Sequence, residues 1–201
     1  LTSVISNLND NKGVLYFSMD LTKEELLTRI ICVKSGIPFP MLKRGIISDD
    51  KQKDFDRVTE ELSEQKLFID DTKYCDINYI KNTSKEMIDN KKNTIKMIVV
   101  DYFDLIENEH NQNIARELKK LAVELDIPII VLSQLSNTIE KRTNQKPLLS
   151  DVKDDTLEIE SDTILFIYVD DYAIENREET KELESMIRGD EIPYISAFID
   201  K

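Results

Sequence analysis

The stretch Ile95-Lys96-Met97-Ile98-Val99-Val100-Asp101 constrains this chain more than any other. A short, β-branched apolar run reads as a strand buried on both faces, which belongs at the centre of a parallel sheet. It ends in carboxylates, first Asp101 and then, past Tyr102 and Phe103, Asp104. Open α/β sheets bind their ligands beyond the carboxyl ends of the strands. In nucleotide-hydrolysing α/β proteins a carboxylate there holds Mg²⁺, directly or through water. Asp101 is therefore the candidate metal residue; the run alone leaves open that it simply terminates a strand.

The flanking chain alternates between strand and helix patterns. Val14 to Ser18, Leu67 to Ile69, Ile129 to Ser133, Thr163 to Val169 and Tyr194 to Ile199 read as strands. A Thr22-x-x-Glu25 capping box opens a helix whose stripe is Leu26, Leu27, Ile30 and Ile31 and which ends near Gly36. Pro38 and Pro40 predict an irregular connection. Further helices are marked by Phe55, Val58 and Leu62 after Ser48-Asp49-Asp50, by Ile77, Ile80, Ser84, Met87 and Ile88, and by Ile114, Leu118, Leu121, Ala122 and Leu125. Leu1, Val4, Ile5 and Leu8 have helical spacing as well, and Gly13 ends that segment. Residues 137–159 are polar and aperiodic, which predicts a long loop of functional type. The acidic residues 170–191 read as a solvated helix or a partly disordered excursion. The alternation predicts a mostly parallel α/β sheet flanked by helices, in one domain over residues 1–201.

Composition excludes several classes of function. The net charge of −13 argues against a generally basic nucleic-acid binder, though not against a narrow basic strip. The single histidine, His110, lies in a polar stretch, which disfavours Ser-His-Asp chemistry and histidine-rich metal sites. Cys32 and Cys75 are far apart and lack metal-ligand spacing, as expected of reduced thiols in the cytoplasm. No apolar run approaches the roughly 20 residues of a membrane span, and no signal peptide is visible. Leu1 is not a start methionine, so residues 1–201 are expected to be part of a longer protein.

Five ordered blocks carry a family resemblance. Val14-Leu15-Tyr16-Phe17-Ser18-Met19-Asp20, with Lys23-Glu24-Glu25-Leu26 and Arg29 behind it, resembles the second core strand of replicative helicases of the DnaB type. Ile98-Val99-Val100-Asp101-Tyr102 resembles their Walker B strand. Glu117-Leu118-Lys119-Lys120-Leu121-Ala122 with Glu124-Leu125 resembles the helix after it. Ile127 to Ser136 resembles the strand with the family's glutamine, and Lys146 to Val152 the start of its DNA-binding loop. Any one block is weak; together, in order, they are specific. The resemblance implies a RecA-like three-layer ATPase domain that uses ATP and Mg²⁺. It further implies a hexameric ring that translocates on single-stranded DNA, with a primase or helicase loader as possible partners.

Residue by residue, the resemblance implies that Asp101 organises Mg²⁺, Asp20 orients the attacking water, and Gln134 senses the γ-phosphate. It implies DNA phosphate contacts from Lys153, with Arg142 and Lys146 adding positive charge upstream, as does Lys141. The departures are equally specific. Asp20 stands where the family usually has the longer glutamate, and the bland role for Asp20 is to cap the helix beginning near Thr22. Lys153 stands for arginine, which loses bidentate geometry; Thr156 stands for a glycine, and Asp155 adds negative charge. None of the four glycines starts a Gly-x-x-x-x-Gly-Lys-Ser/Thr loop, which in the family lies upstream of the block at Val14. Lys201 falls where the family's Lys-x-Arg-Asn-Gly motif begins, the segment that carries its arginine finger. Residues 1–201 by themselves are thus expected to bind ATP weakly and to be inactive.

A reading of a different class stands beside the motor: a degenerate, non-hydrolysing relative that serves as a binding or scaffold protein. The acidity, Asp20 and the altered DNA loop favour it. Another RecA-like ATPase is a third, weaker reading, disfavoured by the Leu132-Ser133-Gln134-Leu135-Ser136 block.

Overall fold

The Ile95–Asp101 run (β3) is a strand whose residues are buried apart from the exposed Lys96 and the half-buried Asp101. The computed structural model describes residues 12–90, 94–108, 113–142, 146–167 and 194–199. The expected N-terminal helix, His110 and the acidic stretch 170–191 lie outside the described residues. In chain order the elements are β1 (Gly13–Ser18), α1 (Lys23–Ser35), α2 (Phe39–Lys43), α3 (Asp49–Glu64) and β2 (Leu67–Asp70). There follow α4 (Ile77–Asp89), β3, α5 (Ile114–Leu125), β4 (Ile129–Gln134), α6 (Asp155–Glu160), β5 (Thr163–Phe166) and β6 (Tyr194–Ile199).

The sheet runs β2-β1-β3-β4-β6-β5. The first four strands are parallel, with Tyr16 opposite Val99, Ser18 opposite Asp101, and Val100 opposite Val131. β6 returns antiparallel between β4 and β5. Helices cover both faces, because strands buried on both sides need two apolar layers. One face carries Leu15, Phe17, Ile98, Val100, Ile129 and Val131 against α4 and α5, through Ile80, Leu118 and Leu121. The other carries Val14, Tyr16, Met97, Val99, Ile130 and Leu132 against Leu26 and Ile30 of α1 and Leu62 of α3. The mostly parallel sheet flanked by helices that the alternation predicts is what the chain adopts.

The capping box forms: the Thr22 hydroxyl accepts from the Glu25 N–H, and the Glu25 carboxylate accepts from the Thr22 N–H. Gly36 closes α1 at φ 64°, a left-handed turn that suits glycine. Three expectations are corrected. Pro38 and Pro40 do not force irregular chain. They start the short helix α2, with Pro38 at its N-cap and Pro40 in its first turn, where a missing N–H costs nothing. Residues 137–159 are not a plain loop. They hold two 3₁₀ turns, Asn137–Lys141 and Leu149–Asp151, and the start of α6, whose Leu157 is fully buried. The strand expected from Thr163 to Val169 stops at Phe166 as β5, with Val169 outside the described residues; β6 pairs antiparallel within the mostly parallel sheet. No helix among the described residues is long and apolar enough to cross a membrane.

Candidate nucleotide and nucleic-acid site

The carboxyl ends of β1, β3 and β4 converge on one edge of the sheet. Side chains alternate faces along a strand, so Tyr16, Asp101 and Gln134 all emerge on the α1 face, with Val99, Ile130 and Leu132 as their in-strand neighbours. The Met19 N–H donates to the Asp101 carbonyl at 2.9 Å, which ties the turn after β1 to the end of β3. The peptide between Asp101 and Tyr102 is cis.

Asp101 is half-buried, and the Tyr16 hydroxyl donates to its carboxylate. Burial pushes the Asp101 carboxyl above the usual range; the Tyr16 bond works against this, and the nearby charge of Asp20 adds to it. The Tyr102 phenol is pushed up too, first by burial and then by Asp20, Asp104 and Asp101. Carboxylates thus gather around one tyrosine at the strand ends, an electrostatic setting that a cation would relieve. Among the described residues no three acidic, histidine or cysteine side chains form a closed metal cage. Asp101 as a single strand-end carboxylate fits Mg²⁺, which keeps several waters and takes one or two carboxylates plus phosphate oxygens.

Asp20 is exposed, two residues past β1. It does not cap α1. Thr22 does, and the Asp71 carboxylate accepts from the Lys23 N–H at 2.9 Å. The α1 terminus therefore leaves Asp20 without the structural task its position suggested.

Gln134 is the last residue of β4. Its Oε1 accepts a hydrogen bond from the Lys153 ammonium at 2.9 Å. The loop bearing Lys153 is fastened to the same strand end, since Leu135 bridges Val152 and the Ser136 N–H donates to the Asp151 carbonyl at 2.8 Å. The structure thus brings two of the sequence-derived candidates, Gln134 and Lys153, into direct contact.

Arg142 is placed differently from a simple phosphate contact. Its guanidinium donates to the buried Asp151 carboxylate at 2.5 Å and to the Lys146 carbonyl at 3.3 Å. The same Asp151 oxygen accepts from the Leu148 N–H at 2.8 Å. Arg142 organises the loop, while Lys146 and Lys153 are exposed. Thr156, in place of the family's glycine, sits in the first turn of α6, where the Asp154 carboxylate caps its N–H at 2.8 Å.

Reading the sequence overlooked Tyr16, Asp104 and Asp151. Tyr16 had a legible signal, because a tyrosine inside a buried apolar strand needs a partner for its hydroxyl. Asp104 and Asp151 had none, since their partners lie 29 and 9 residues away.

Comparison with known proteins supplies the family. The family model described as the DnaB-like helicase C terminal domain matches residues 1–191. A replicative DNA helicase DnaB of Rickettsia prowazekii is 35% identical over 186 residues, covering 87% of this chain and 38% of that protein. A probable plasmid replicative DNA helicase of Chlamydia psittaci is 35% identical over 191 residues, covering 90% of this chain and 41% of that one. The chain thus spans about two fifths of the length of these curated relatives. The ATPase domain of G40P superposes with a TM-score of 0.76 at 28% identity, over 88% of this chain and 65% of that one. A DnaB-like replicative helicase, solved in a study of its interactions with primase, gives 0.73 at 28% identity, over 83% of this chain and 42% of that one. With a family model matched over most of its length, a RecA-like sheet, and the expected carboxylate and amide at its strand ends, this chain belongs to the DnaB-like helicase C-terminal domain family.

Proposed function

We propose that the chain is the motor domain of a replicative DNA helicase, which couples ATP hydrolysis at subunit interfaces to travel along single-stranded DNA. The observation that carries this reading is the gathering of Asp101 and Gln134 on one face of the sheet, with Lys153 of the adjoining loop bonded to Gln134. Those groups can serve a nucleotide on one side and a polyanion on the other.

Asp101, oriented by Tyr16, would hold Mg²⁺, directly or through water. When bound, that ion would neutralise charge on the transferred phosphoryl group. Asp20 would orient the attacking water, which the capping of α1 by Thr22 leaves it able to do. An amide both donates and accepts. With Oε1 on Lys153, the Gln134 NH₂ faces the task of donating to phosphate, so one side chain has a defined role toward each ligand. Lys153 and Lys146 would contact DNA phosphates, and Arg142 would join them only by leaving Asp151. Residues 1–201 hold neither a Gly-x-x-x-x-Gly-Lys-Ser/Thr loop nor a Lys-x-Arg-Asn-Gly motif, so by themselves they should bind Mg-ATP weakly. A hexameric ring is the proposed assembly, and a primase or a helicase loader a proposed partner; a primase appears with one structural neighbour.

The test is ATP turnover and strand separation by the full-length protein, with and without single-stranded DNA, in the parent and in Asp101→Asn. DNA-stimulated turnover that Asp101→Asn abolishes is expected. The scaffold reading, which Asp20 and Asp155 favour, requires turnover at background in both proteins.

A further inference from the structure

The ladder between β3 and β4 ends at Val100 opposite Val131. β4 nevertheless continues through Leu132 and Ser133 to Gln134. On one side β6 pairs with this extension, as far as Tyr194 opposite Gln134. On the other side the neighbouring strand has run out, because β3 stops at Asp101. On that side the Gln134 N–H has no strand acceptor, so its position depends on what the turn after β3 offers it.

Asp104 closes the open side. It lies in the 3₁₀ turn Phe103–Leu105, anchored in the core by the buried Phe103 and Ile106. Its Oδ2 accepts from the Ser133 hydroxyl and from the Gln134 N–H, both at 3.3 Å. The carboxylate stands in for the missing acceptors of a neighbouring strand, at the residue whose side chain holds Lys153. Ionised acceptors make stronger bonds than neutral ones, so a carboxylate suits this task better than an amide or hydroxyl would.

We propose that Asp104 is a positioning residue that fixes the reach of Gln134 and thereby couples nucleotide occupancy to the Lys153 loop. This rests on Gln134 being the phosphate sensor. Asp104 is exposed, so removing its carboxylate leaves neither a cavity nor a buried charge, but it takes an acceptor from the buried Ser133 hydroxyl and should lower folding stability modestly. A displaced Gln134, by contrast, degrades turnover, because misplacement by about 1 Å can cost on the order of a hundredfold.

The test uses the full-length protein and compares ATP turnover with and without single-stranded DNA. The variants are Asp104→Ala, Asp104→Asn, Gln134→Ala and the double variant Asp104→Ala/Gln134→Ala, each with a melting curve. Expected are a DNA-stimulated kcat lower by about tenfold or more in Asp104→Ala, with KM for Mg-ATP close to the parent and a modestly lower Tm that Asp104→Asn, which still accepts from Ser133, recovers. Asp104→Asn, whose Oδ1 still accepts, should retain most of the stimulation. Gln134→Ala should lose it, and the double variant should lose no more than Gln134→Ala, as for groups acting through one residue. Parent-like stimulation in Asp104→Ala beside loss in Gln134→Ala overturns the inference alone. So does a raised Mg²⁺ requirement in Asp104→Asn, which would make Asp104 a metal ligand. Parent-like stimulation in Gln134→Ala overturns the sensor reading and this inference with it.

Discussion

Replacing Arg142 with alanine separates two roles for one side chain. As a DNA contact, Arg142 would matter only in the complex. As built, it donates to Asp151 at 2.5 Å and to the Lys146 carbonyl at 3.3 Å, and Asp151 is 3% exposed. In Arg142→Ala the Asp151 carboxylate keeps the Leu148 N–H but loses its counter-charge. Breaking a fully buried pair costs about 3–5 kcal/mol. The Arg142 side chain is 31% exposed, so water can partly replace it, and hydrogen bonds to charged groups contribute about 1.5–3 kcal/mol. A loss of about 2 kcal/mol follows, or a Tm lower by about 4–8 °C for a domain of this size. Arg142→Lys keeps the charge without the fork and should recover part of it. The companion assay is affinity for single-stranded DNA against salt, where each lost phosphate contact lowers the slope by about 0.7. A lower Tm with an unchanged slope is expected. A Tm within about 1 °C of the parent, together with a slope reduced by about 0.7, would refute the loop-organising role.

Other substitutions test the nucleotide side and the scaffold. In the full-length protein, Asp20→Asn should lower kcat by about a hundredfold or more with nucleotide affinity retained, and Asp20→Glu should preserve or raise it; an Asn variant turning over at the parent rate removes Asp20 from the reaction. Burial raises the Asp101 pKa, so its folded-state contribution is fully present below the ordinary carboxylate pKa and is lost as pH rises through the raised value. Asp101→Asn, neutral throughout, should therefore melt no lower than the metal-free parent at pH 7 while losing turnover; melting several degrees lower would show the charge to be stabilising. Glu117 is held at about 2 by hydrogen bonds from Lys120 and Lys81, so its stabilisation is present above its ordinary pKa of 4.5 and lost as pH falls toward 2. Glu117→Gln should cost about 1 kcal/mol at neutral pH and flatten the acid limb of the stability profile, and an unchanged acid limb would place the acid sensitivity elsewhere.

Local chemistry made much of this protein legible in its sequence. The Ile95–Asp101 run could satisfy its apolar side chains only between two layers, so the centre of the sheet followed from composition and length. The Thr22–Glu25 box and Gly36 bound α1 because capping depends on residues three apart and on backbone conformation. Asp101 was a candidate because strand ends are where such sheets bind ligands, and Gln134 because its block resembles the family's glutamine-bearing strand. Tertiary structure decided what depends on neighbours distant in sequence. It turned the polar stretch 137–159 into two 3₁₀ turns and a helix, since the buried Leu157 and the Asp151 carboxylate find their partners only in the folded chain. It paired Arg142 with Asp151, and reversed β6, because strand direction depends on chain connection and not on composition. It also set Asp104 beside β4: a carboxylate has no sequence periodicity, and only the offset in register by which β4 runs past β3 leaves the Gln134 N–H for it to accept from.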